Sequence, residues 1–66
     1  MSRYIAKNSK NETVTYGYDN MLQEYFLYVD NEPEINDRLA IVDYLDRGGF
    51  SIPQHHKDNL RFDLPI

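Results

Sequence analysis

Two stretches of this chain carry side chains suited to site chemistry: the adjacent histidines His55 and His56 in "SIPQHHKDNL", and the alternating acids Asp30, Glu32 and Glu34 in "VDNEPE". Imidazoles shuttle protons or hold metals, and carboxylates at alternate positions suggest a calcium loop or an acid/base pair. Neither pattern completes. On a helix His55 and His56 point about 100° apart and do not share one small target, and zinc would want further ligands at suitable spacing. A calcium loop opening at Asp30 lacks the glycine at its sixth position and has Ile41 where the twelfth should be glutamate. The glycines of "RGG" are too few for a phosphate cradle and follow a helical pattern rather than a strand. Cysteine is absent, which removes thiolate nucleophiles, zinc-thiolate sites and disulfides together and fits a reducing compartment. The expectation is a non-catalytic chain with no metal and no cofactor.

Charge is divided along the chain. Residues 1–11 carry Arg3, Lys7 and Lys10 and no acid, whereas residues 12–46 carry nine acids against Arg38 alone, within a net charge of −4 overall. An acidic middle repels phosphate backbones and favours basic partners, although clustered acids also serve simply as a solvated face. The N-terminus has no apolar run of the signal-peptide kind, and no window approaches the roughly 20 apolar residues of a membrane span. A cytoplasmic protein without membrane association is expected.

The elements that would position these groups follow from periodicity. In "ETVTYGY", residues 12–18, Val14, Tyr16 and Tyr18 alternate with Thr13, Thr15 and Gly17, as on a strand with one buried face. Asp19 and Asn20 suit a turn, and residues 24–30, "EYFLYVD", read as a second strand that closes an antiparallel hairpin. This second strand is apolar on both faces, with Tyr25, Leu27 and Val29 on one and Phe26 and Tyr28 on the other.

From Pro33 the spacing turns helical. Ile35, Leu39, Val42 and Leu45 make a stripe that predicts a helix over 33–47, opened by Pro33 with Glu32, Glu34 and Asp37 near its positive end and stopped by Gly48 and Gly49. A shorter helix is expected over 53–61. Residues 1–11 read as a basic, flexible arm in which Tyr4 and Ile5 add a short edge strand, and residues 12–66 as one α+β domain with both helices on the face of Val14, Tyr16 and Tyr18. Leu39 and Val42 are expected in the core.

A chain of 66 residues is too short to cover both faces of the second strand. Some aromatic surface is therefore left for a partner, which is a foreign protein or a second copy forming a homodimer. The candidate binding residues are Phe26 and Tyr28 as an apolar centre with Asp30, Glu32 and Glu34 as an acidic rim. The reading that results is a small protein-interaction module. An alternative is an inhibitor of phage or mobile-element type, whose carboxylates imitate phosphates and block a nucleic-acid-binding protein. Direct nucleic-acid binding through stacked aromatics is a third reading, disfavoured by the isoelectric point near 4.8 and by Glu24 and Asp30 on the face of Phe26 and Tyr28.

Overall fold

The alternating pattern of residues 13–19 becomes the middle strand of a three-stranded antiparallel sheet. The computed structural model describes residues 2–66, in the order β1 (Tyr4–Lys7), β2 (Thr13–Asp19), β3 (Glu24–Tyr28), α1 (Arg38–Arg47) and α2 (Gln54–Arg61), with strand order β1-β2-β3. The chain is thus an α+β domain built of a hairpin, an edge strand and two helices. Met1, the first residue of the basic segment, lies outside the described residues.

Cross-strand register puts Ala6 against Val14, Tyr4 against Tyr16, Tyr16 against Leu27 and Tyr18 against Tyr25, so these side chains share one face. Both helices pack there. Val14, Tyr16, Leu27, Ile41, Leu45 and Leu60 are sealed from solvent, with Ala6, Tyr25, Val42 and Phe50 closing the margins. Each large side chain buried in this way contributes about 1.5–3 kcal/mol before chain entropy is counted, which a domain this small needs.

Helix α1 begins at Arg38, five residues later than its spacing suggests, and β3 ends at Tyr28 rather than at residue 30. Leu27 explains both. Its N–H and C=O point away from β2 and exchange hydrogen bonds with Ile35, at 2.9 and 3.1 Å, so residues 33–36 run extended along the sheet edge. Asn31, with φ 64°, turns the chain into that path, and Pro33 restrains Glu32 from helical geometry. The late start also rotates the stripe. Arg38, Ile41, Val42 and Leu45 face inward, whereas Leu39 falls roughly 115° from the centre of that stripe and is 52% exposed.

Gly49, with φ 68°, ends α1 as expected, and the last carbonyls are taken by Gly49 N–H to Asp46 O and Phe50 N–H to Leu45 O. Phe50 follows directly into the core. Helix α2 then returns across α1, held by Lys57 and Arg61, which both reach Asp46 at 3.0 and 2.9 Å, and these two cations hold the Asp46 carboxyl below its ordinary pKa.

Candidate functional site

The sheet face opposite the helices is built by the odd residues of β1 and β2 and the even residues of β3. Register aligns Ile5, Thr15 and Tyr28 in one row across it, with Lys7 and Thr13 in the next row and Asp19 opposite Glu24 at the far end. Neither helix crosses this face. Its composition runs from basic at the β1 edge, where Lys7 is exposed, to acidic at the β2–β3 turn, where Glu24 is exposed.

Phe26 belongs to this face and is nevertheless buried at 5% exposure. The register sets it directly opposite Gly17, and its ring lies over that glycine, where an added Cβ would come within 2.9 Å of Cζ and would also strike the Ser2 carbonyl. Tyr28 packs on the Phe26 ring at a centroid distance of 5.2 Å and remains 44% exposed. Glu34 lies near its hydroxyl and raises the phenol pKa, while the Asn36 amide, which donates to Glu34, and Tyr28 together lower that of the Glu34 carboxyl. Phe26 is accordingly the floor and Tyr28 the accessible ring.

The acidic residues separate. Glu34 sits beside Tyr28, the charge of Glu32 adds to burial in raising the phenol pKa of Tyr44 on α1, and Asp30 is exposed in the turn that precedes them. With α1 starting at Arg38, Glu32 and Glu34 lie outside its first turn, so the helix dipole does not account for them. Four other acids, Asp43, Asp46, Asp58 and Asp63, are ion-paired with Arg47, Lys57, Arg61 and Arg38.

His56 is buried on the helix side, with Nδ1 2.6 Å from the Tyr16 hydroxyl and its ring 4.3 Å from that of Tyr4. Burial and the neighbouring His55 lower its pKa, and burial raises that of Tyr16 to about 12. His55 points outward. Among the described residues no three His, Cys, Asp or Glu side chains converge as a metal site would need. An open depression of 440 Å³ on the α1 side is lined by Glu12, Asp43, Tyr44, Arg47 and Phe50 among others, and brings no nucleophile beside a base. No helix among the described residues is long and apolar enough to cross a membrane.

Comparison with family models, with curated proteins and with solved structures returned no match to this chain. The surface must be read from its own residues. What periodicity had not singled out is Ile5, 70% exposed in the same row as Tyr28, and the cations Arg3 and Lys7 that flank it. The signal was in "RYIAK", whose alternation separates Arg3, Ile5 and Lys7 from the inward Tyr4 and Ala6.

Proposed function

We propose that this protein is a non-catalytic docking module that binds another protein through the uncovered face of its sheet, with Tyr28 at the centre of the contact and Glu34 at its acidic side. One observation carries the reading: Tyr28 is exposed yet held, its ring packed on that of buried Phe26 at a centroid distance of 5.2 Å. An aromatic side chain already fixed in place loses little entropy on binding, and such residues dominate the energetics of protein contacts. Ile5 and Thr15 extend the row across the sheet, and the opposite charges at its two ends favour a partner of complementary polarity.

A phosphate mimic needs its carboxylates in one row. The charge of Glu34 acts on Tyr28 and that of Glu32 on Tyr44 of α1, which favours the docking reading over mimicry and over direct nucleic-acid binding. The test is capture of binding proteins on the immobilised chain and on its Tyr28→Ala variant, at low and physiological salt, with circular dichroism confirming that the variant is folded. A partner retained by the parent at both salts and released by the variant, at a cost of about 1–3 kcal/mol, supports the proposal. Retention that ignores Tyr28 and collapses with salt would favour the carboxylates instead.

A further inference from the structure

The two edges of the sheet are not equivalent. On the β3 edge most of the outward groups are occupied, since Ile35 takes both the N–H and the C=O of Leu27, and the Asn36 amide donates to the Tyr25 carbonyl at 2.9 Å. The β1 edge is open. Hydrogen bonds from Ser2 N–H to Tyr18 O and from Asn8 N–H to Glu12 O show that the even residues of this segment face β2. Antiparallel alternation then points the Arg3 carbonyl, both backbone groups of Ile5, and the N–H and C=O of Lys7 away from the sheet. Of these, the Lys7 carbonyl accepts from Ser51 N–H at 3.1 Å, and the other four have no partner among the described residues.

The side chains at this edge say what would fit. The cations of the helical half, Arg38, Arg47, Lys57 and Arg61, all make ion pairs, whereas among the described residues Arg3 and Lys7 make none. They flank exposed Ile5 on the outer face. We infer that the β1 edge accepts an extended acidic segment of another protein as a fourth strand. An apolar residue of that segment lies opposite Ile5, and acids two positions to either side lie opposite Arg3 and Lys7.

A second copy of the chain does not meet this pattern. Pairing β1 with itself about Ile5 sets Arg3 against Lys7 twice, and like charges directly opposite are unfavourable. The chain's own alternating acids at 30, 32 and 34 are folded into a turn at Asn31 and are not available as a strand. The inference goes beyond the docking reading and separates from it, because Tyr28 lies on β3, with β2 between it and β1, and is not required for edge pairing.

The test uses the full chain, labelled with nitrogen-15, and three capped seven-residue peptides: one with glutamates two positions either side of a central valine, one with lysines there, and one glutamate peptide N-methylated at the valine. Saturable shifts of the Ile5 and Lys7 amides with the first peptide only, unchanged in Tyr28→Ala, are expected. The surface variant carrying Arg3→Glu and Lys7→Glu should reverse the preference between glutamate and lysine peptides by about tenfold. Equal binding of the methylated peptide overturns the inference, because a blocked backbone cannot extend a sheet. Shifts confined to Thr15 and Tyr28, with Ile5 and Lys7 amides silent, also overturn it while leaving the docking face intact. A short oligothymidylate that shifts the two amides when the glutamate peptide does not would assign the edge to nucleic acid instead.

Discussion

The Tyr16 hydroxyl and His56 Nδ1 lie 2.6 Å apart inside the core, joining the middle strand to α2. With the phenol pKa pushed up to about 12, Tyr16 stays protonated and shares one hydrogen with Nδ1 of a neutral His56, the imidazole tautomer setting which of the two donates. The pair is neutral. Among the described residues no negative group faces the imidazole: Tyr4 and Tyr16 approach it from the sheet and His55 from its own helix, and a proton added there would be buried without a counter-charge.

Acid should therefore loosen the fold earlier than its carboxylates alone would. Burial depresses the folded-state pKa of His56 below its ordinary 6.5, so between those two values the unfolded chain holds more protons and stability falls as pH falls. Asp46 and Glu34 are depressed from 3.8 and 4.5, and their contribution is lost only in more acidic solution. Urea unfolding at about pH 7.5 and pH 5.5 brackets the histidine alone. The midpoint should drop in the parent chain and hold nearly constant in His56→Gln; equal drops in both would remove His56 from the account. Tyr16→Phe, which strands the buried Nδ1, should cost about 1–3 kcal/mol at the higher pH.

Gly17 holds the outer face together by having no side chain. A Cβ there meets the Phe26 ring and the Ser2 carbonyl, and the latter is backbone that yields only by displacing the N-terminal end of β1. Gly17→Ala should destabilise by about 1–3 kcal/mol despite the better strand propensity of alanine. It should also raise the exposure of Phe26. Chemical denaturation measures the first effect, and amide exchange at Tyr18, which Ser2 caps through its hydroxyl, reads the second region directly. A neutral or stabilising outcome would mean that Ser2 does not occupy that space in solution.

The hairpin and the helix stop were legible because each is local: alternation in "TVTYGY" reports the buried face, and Gly49 supplies the left-handed residue that α1 needs. Ile35 was not, since its spacing from Leu39 and Val42 fits a helix as well as chance allows. What decides its place is the demand of Leu27 for two hydrogen-bond partners, a tertiary requirement that no window of sequence contains. Phe26 was half legible. Two apolar faces on β3 were visible, but the ring becomes floor rather than contact only because hairpin register sets it opposite Gly17. The acids at 32 and 34 were explained by a helix end that lies elsewhere, and that displacement returns them to the surface as groups in need of another reason.

Arg38 is the residue whose role the late start of α1 creates. From the first turn of that helix its guanidinium donates at 2.8 Å to the carbonyls of both Leu60 and Arg61, the last residues of α2, and stands 3.6 Å from Asp63. Those carbonyls are otherwise among the unpaired acceptors at a helix end, where a cation is also favoured by the dipole. Arg38→Met keeps the half-buried stem and removes the donors, and should cost about 1–2 kcal/mol. Arg38→Lys should recover only part, because one ammonium does not both donate to the two carbonyls, as Nη1 does, and approach Asp63, as Nε does. Leu39→Ser, one residue on and facing water, should change stability by no more than about 0.5 kcal/mol, while Ile41→Ala should cost about 2–5 kcal/mol. These four variants in one denaturation series fix the phase of α1: a large loss at Leu39 with little at Arg38 would restore the helix to residue 33, and with it the dipole as the reason for Glu32 and Glu34.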